Sequence, residues 1–439
     1  TQAKLYQSSA EAKPNFQFIL DTFSSNDTTS SPLNLHIGSI LLRRVDVSWD
    51  RQWIPQKTDG TMDINHLHLN DIALTAHLRT LQEDSLNIAF KRLSINESNG
   101  FTLKNMTFDL NVGKNSGELN NFKILLPNSS LDIPSIHSKW DNPSSNSNWK
   151  TWIQNVAMNG NMQMELLPSD LKSIYPNFKI ADKPIMLTTH FMVIDSCLNV
   201  PRLNLTNHGS LDLETGIFIK DLISSPNYMV EIRNLTLTSA FQQFITKTLK
   251  GREDELSPIL TRMDTINIRG LMQFSKQEQQ ASLLILNHAG NLNIKAKAKE
   301  WNSCEVAIKS EGIELNKLLS DNGIHALGKV ELDASLKCFI DDINKPNISL
   351  HTKIPKAIIQ NREYNDLQFY TTFKNELLTL KTNIDDHEGT ISALINLKVG
   401  KKTHIFGDVA INSFHTDRLG LGERYPDNRL TLVSNLDVS

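Results

Sequence analysis

Three places in this sequence carry side chains whose types and spacing could do chemistry. Asp385, Asp386 and Glu388 crowd around His387, the set from which a general acid/base pair or a metal site is made. The same four residues lie between two alternating apolar stretches, Leu378–Ile384 and Ile391–Val399, so a solvated hairpin loop is the preferred reading. His66 and His68 stand at i, i+2 and share one face of a strand. Asp63 and Asp71 stand at odd offsets from them and would point the other way, which favours a solvated strand face over a metal site. Asp341-Asp342 reads as a turn. No Ser, Cys or Thr has the context of an activated nucleophile, and no phosphate-cradling glycine loop occurs. The expectation is a protein that is not an enzyme, with no catalytic residues, no metal ligands and no cofactor.

The three cysteines, Cys197, Cys304 and Cys338, are far apart and form no CxxC spacing, which excludes the zinc and thiol-redox motifs. Each sits in or beside an apolar stretch, so buried free thiols are expected, with one disulfide open if the compartment is oxidising. Trp49, Trp53, Trp140, Trp149 and Trp152 could be sugar platforms, but the last three flank a polar loop and read as packing it onto a sheet. Seven Asn-x-Ser/Thr triplets, Asn128 and Asn234 among them, are what an Asn-rich chain produces freely.

Composition sets the elements that must position any site. The 439 residues carry 45 Lys+Arg against 48 Asp+Glu, a formal net charge of -3, which argues against a nucleic-acid partner. Hydrophobic content is 39%, which favours many thin, half-exposed elements over one thick core. The longest apolar runs, such as Leu283-Leu-Ile-Leu286, are far short of a membrane helix. The chain opens Thr1-Gln-Ala-Lys, with neither Met nor a signal peptide, and reads as an interior fragment of something longer.

Apolar and polar residues alternate over short stretches almost throughout, the mark of half-buried strands. Phe108, Leu110 and Val112 are followed by Phe122, Ile124 and Leu126. Leu203 and Leu205, Ile217 and Ile219, then Val230 and Ile232 continue the series. Leu292 and Ile294, then Val330, Leu332 and Leu336, come next. Leu367, Phe369 and Phe373, Leu378 and Leu380, and Ile391, Ile395 and Leu397 complete it. Turn clusters separate the strands: Asn-Gly at 99–100 and 159–160, Pro127–Ser130, Asn207–Gly209 and Asp386–Gly389.

Helical pattern is scarce. It is confined to 239–250, a short turn capped by Ser169, and brief turns at 315–319 and 418–422. Roughly 28–32 strands of this kind are too many for one sandwich, and so long a sheet must curl, split or wind. The predicted fold is therefore all-β: a long, curled, mostly antiparallel sheet with few short helices, forming an elongated hydrophobic groove. The residues of the series above would line that groove, and a lining of Leu, Ile, Val and Phe suits acyl chains.

The domain reading follows composition. A lead-in covers 1–32, a first β-groove segment 33–140, and a polar loop or linker 141–148. A second segment with short helices covers 149–250, and a third covers 251–439 and continues beyond the fragment.

Several runs carry a family resemblance. They are Gly60 to Asn70, Leu93 to Leu103, Leu119 to Leu131, Pro168 to Lys172, Tyr175-Pro176 and Lys183 to Leu187. Lys345 to Leu350, Tyr364 to Leu367, and Leu377 to Leu380 followed by Asp385 continue it. Over about 33 to 438 the chain resembles the AsmA-like/TamB family, specifically the large TamB-type proteins of Bacteroidetes. The resemblance implies a repeating β-groove that bridges the periplasm, anchored in the inner membrane, and conducts phospholipids toward the outer membrane. It also implies a role for some members of the translocation and assembly module type in outer-membrane protein assembly. An inner-membrane helix at the N-terminal side and a C-terminal segment docking on an outer-membrane barrel protein would both lie outside this sequence. Two other readings stay open: a tandem β-sandwich surface or adhesive protein, and an assembly factor that templates barrel strands.

Overall fold

The computed structural model of the chain describes residues 1–18, 21, 34–82, 84–141, 153–176, 183–239, 262, 264–300, 302–314, 317, 327–339, 347–359, 362–386, 388–398, 404–416 and 424–438. They divide into two compact units, Thr1–Ser224 and Ser225–Ser439. Each unit is all-β and consists of open, mostly antiparallel sheet, the fold class that alternation predicts.

The first unit holds β1 (Gln2–Gln7), β2 (Asn34–Arg51), β3 (His66–Gln82), β4 (Ser85–Glu97), β5 (Thr102–Val112), β6 (Ser116–Leu125), β7 (Ser130–Trp140), β8 (Val156–Leu166), β9 (Ile185–Ile194), β10 (Cys197–Asn207) and β11 (Leu211–Lys220). From β2 onward each strand pairs antiparallel with the next. β1 lies parallel on the free edge of β2, Leu5 opposite Trp49.

The second unit holds β12 (Asn227–Leu237), β13 (Ile266–Phe274), β14 (Glu278–Asn287), β15 (Gly290–Lys299), β16 (Ser303–Glu314), β17 (Leu327–Phe339), β18 (Asn347–Ile359), β19 (Arg362–Lys374), β20 (Leu377–Asp386), β21 (Gly389–Lys398), β22 (His404–His415) and β23 (Arg429–Val438). It is an uninterrupted antiparallel meander.

These strands are fewer and longer than alternation alone suggests, and bulges are the reason. Val230 and Ile232 belong to one long strand, β12, which runs on to Leu237 across a register shift between Ile232 and Leu235. Extra residues enter at Arg44, Asp71, Asn121 and Ser413, all with φ between 48 and 55°. The ladders shift at each of them. A bulge turns the i, i+2 spacing of one face into i, i+3 and bends the strand. Thus Leu119 and Phe122, on either side of Asn121, both pair with apolar partners, Ile136 and Ile133. Asp and Asn tolerate the left-handed backbone better than most residues, which is why two of the four are of these types.

Two local expectations are corrected. Asn159-Gly160 is not a turn: both residues lie inside β8, opposite Met192 and Phe191. Ser169 is not the N-cap: the helical turn there is a single 3-10 turn, Pro168–Leu171, entered from Leu167 with no side-chain cap. Asp170 does the anchoring instead. Its carboxylate accepts from Asn128 N (2.7 Å), Asn128 Nδ2 (3.0 Å) and Ser129 Oγ (2.7 Å), tying the turn to the β6–β7 loop. The body of the expected helix at 240–250, the segments 24–32, 142–148 and 251–255, and the turns at 315–319 (except residue 317) and 418–422 lie outside the described residues.

Candidate functional site

The register aligns apolar residues into rows that cross every strand of a meander. In the first unit one row runs Leu42, Leu74, Leu93, Met106 and Ile124 across β2 to β6. It continues as Leu131, Met164, Leu187, Leu205 and Leu213 across β7 to β11. All ten members are apolar. Beside it Phe90 stacks on Phe108 with ring centroids 4.5 Å apart, and Phe108 lies 6.3 Å from Phe122.

In the second unit a row runs Val230, Met272, Ala281, Ala296, Val306 and Leu336 across β12 to β17. Leu350, Thr371, Leu380, Ile395, Gly407 and Leu436 carry it across β18 to β23. Thr371 alone of these twelve has a polar side chain.

The residues predicted to line a groove fall on these same faces. Leu110 pairs with Ile88, Val112 with Leu86, Ile217 with Val200 and Ile219 with Leu198. Ile232 faces Gly270, Leu203 faces Thr189, Leu292 faces Ile285 and Ile294 faces Leu283. Val330 pairs with Ile313, and Leu332 with Ser310. Leu367 pairs with Ile354, Phe369 with Thr352 and Phe373 with Ile348. Leu378 pairs with Leu397, and Ile384 with Ile391. Leu126 is the exception: it follows the end of β6, in the turn closed by its N–H to Ser129 O at 2.9 Å. Sequence reasoning passed over Met164 because the Asn-Gly pair hid β8. It passed over Ala281 and Ala296 because alanine carries little hydropathy signal.

These rows are not sealed. Apart from Leu42, which is 36% exposed, every member of the first row is half-buried; so is every member of the second except Gly407. Among the described residues the clusters of buried apolar residues are small: Ala289 with Ile313, and Val330 with Ala357 and Leu367. In a β-sandwich a second sheet would press such faces into a dry core about 10 Å thick. Contiguous apolar surface left open on this scale marks an interaction site.

The opposite face is polar and ion-paired across strands. Lys123 bridges Asp132 at 2.9 Å, Lys309 bridges Asp333 at 2.9 Å and Lys337 bridges Glu305 at 3.2 Å, each between residues directly opposed in the ladder. Exposed pairs of this kind add little stability. They do fix which face meets water. Two open depressions, of about 470 and 760 Å³, lie mainly on this polar side. The smaller is a gap where Ser282, Ala307 and Ser335 sit low between Lys295, Lys297 and Lys337. Ala281, Ala296, Val306 and Leu336 of the second row also line it, and the rest of its lining belongs to the polar side.

The candidate chemistry is dispersed. His66 Nδ1 lies 2.6 Å from Asp50 Oδ1 and its Nε2 2.7 Å from Ile54 O, so both ring nitrogens are committed. His66 is mostly shielded from solvent, whereas its neighbour His68 is exposed. Asp63, 1% exposed, accepts from Lys57 N and Asn65 N, both at 3.0 Å. Burial alone would raise its carboxyl, but those two N–H groups, with the charges of His66 and Lys57, outweigh burial and hold it below the ordinary aspartate value. This carboxylate organises the loop before β3. Trp49 and Trp53 flank Arg51, whose guanidinium carbon is 6.0 Å from each ring centroid.

Asp385 faces Thr390 in the β20–β21 hairpin, and Glu388 lies in its turn, 3.9 Å from Arg429 Nη2. His387, Trp149, Trp152, Asp341 and Asp342 lie outside the described residues. Among the described residues no three His, Cys, Asp or Glu side chains are grouped to hold a metal ion. No helix among them is long and apolar enough to cross a membrane. The cysteines, expected as buried thiols, are free and half-buried, and two of them, Cys304 and Cys338, are directly opposed across β16 and β17.

No family model matches the chain, and no curated protein and no solved structure matches it.

Proposed function

We propose that the apolar face of each unit holds phospholipid acyl chains, and that the protein is a segment of a periplasmic lipid conduit between the inner and outer membranes. The observation that carries this reading is the pair of strand-crossing rows, with apolar side chains at ten of ten and ten of twelve positions, those side chains being left partly exposed. Each CH₂ taken from water contributes about 0.8 kcal/mol, so two acyl tails would bind firmly. Exchange with a bilayer, where the tails are equally dry, would be near-balanced, which suits passage better than storage. The rows present no regularly placed polar group, so the face would select tails and not a shaped polar ligand.

The test is solvent extraction of the purified protein with mass spectrometry of the co-purified lipid. Phospholipid is expected with the wild type, and much less with Leu332→Asp or Phe369→Asp. A bare carboxylate among acyl chains costs several kcal/mol or must take up a proton. No lipid on the wild type, or the same lipid on both variants, overturns the reading.

The second reading is an assembly factor for outer-membrane proteins. β1 and β23 each carry a strand edge to which no described strand pairs, and such an edge can accept an extended segment. Proline substitutions along β23 would abolish that activity and leave lipid binding intact.

A further inference from the structure

The sequence holds no redox motif, yet the fold builds one. Cys304 and Cys338 are 34 positions apart in the chain and directly opposed in the β16–β17 ladder. The pairs on both sides hold that register, Ser303 with Phe339 and Glu305 with Lys337, the latter closed by an ion pair at 3.2 Å. Directly opposed residues of an antiparallel pair have Cα atoms about 4.5 or 5.5 Å apart, and both separations lie in the window a disulfide accepts. Both side chains are on the apolar face, in the row that continues through Ala298 and Ile348.

We propose that Cys304 and Cys338 form a cross-strand disulfide that staples β16 to β17 on the apolar face, leaving Cys197 as a free thiol. The oxidant is a second disulfide, on a small molecule or a protein. One thiolate of the pair attacks a sulfur of that disulfide, forming a mixed disulfide and expelling the first thiolate. The other cysteine's thiolate then attacks the protein sulfur of the mixed bond, closing the staple and expelling the second thiolate. The two protons lost from the pair go to the two departing sulfurs, and the two electrons reduce the oxidant to two thiols. Burial and the neighbouring Cys304 thiol raise the Cys338 thiol, so closure proceeds faster at mildly alkaline pH. The inference does not rest on the lipid reading.

The experiment treats the full chain with excess oxidised glutathione at mildly alkaline pH, alkylates it, and reads intact mass and a peptide map. The expected product has lost two hydrogen atoms, carries one alkyl group on Cys197, and yields a linked Cys304–Cys338 peptide pair. Reduction before alkylation restores three alkylatable thiols. Cys197→Ser should keep the mass loss, whereas Cys304→Ser and Cys338→Ser should each abolish it. Three alkyl groups on the oxidised wild type, a stable glutathione adduct at Cys304 or Cys338, or a link to Cys197 overturns the proposal.

Discussion

Gly160 in β8 lies directly under the ring of Phe191 in β9: a Cβ at 160 would stand 2.8 Å from Phe191 Cζ and 3.0 Å from Ile136 Cγ1. The glycine leaves room where two strands bring large side chains over the same point, and a methyl group there would force the Phe191 ring or the Ile136 side chain to shift. Gly160→Ala should therefore destabilise the first unit by about 1–3 kcal/mol through overpacking. Phe191→Leu, which opens the space, should recover much of that loss in the double variant. Urea unfolding of the four proteins gives the coupling, and additive effects would contradict the packing argument.

The same glycine shows where the sequence was legible and where it was not. Alternation identified the strand class, and residues such as Phe108, Leu205, Leu336 and Ile395 all came out on apolar faces. Local chemistry misled at Asn159-Gly160, because a pair that favours tight turns also serves wherever a neighbouring ring needs room. Bulges such as those at Asn121 and Ser413 were illegible because their signature, an i, i+3 step within a strand, looks like the end of one strand and the start of another. The Cys304–Cys338 relation could not be read at all, since strand register is a property of pairing and not of either strand alone.

Asp63 gives a prediction in pH. Its carboxyl is held below the ordinary value, so the folded state prefers it ionised. That preference stabilises the fold fully above the unfolded aspartate pKa and is lost as pH falls through the lower folded value, that is, below about pH 4. Protonation would also remove an acceptor from Lys57 N or Asn65 N. Hydrogen exchange of the 54–66 loop should accelerate on acidification in the wild type. In Asp63→Asn it should be fast at every pH, with a stability loss of about 1–3 kcal/mol at neutral pH. An acid limb equally steep in the variant would place the titration elsewhere.

Leu380 and Lys381 are neighbours in β20 that face opposite ways, Leu380 between Thr371 and Ile395 on the apolar side and Lys381 between Tyr370 and Leu394 on the polar side. They separate a ligand-bearing face from a protein core. Were the apolar side a sealed core, Leu380→Asp would leave a buried charge unpaired and unfold the second unit. Because Leu380 is only half-buried, the variant should instead fold. It should lose roughly 1 kcal/mol, about half the value of a fully buried leucine. On the proposed function bound acyl lipid should drop severalfold, since the aspartate would stand on the face proposed to hold the tails. Lys381→Asp places the same charge on the watered face and should change stability by no more than about 0.5 kcal/mol, with lipid content unchanged. Denaturant midpoints and extracted lipid, measured on both variants and the wild type, read the two effects separately. Equal lipid loss at 380 and 381, or unfolding at 380 alone, would show that the apolar rows serve the fold and not a ligand.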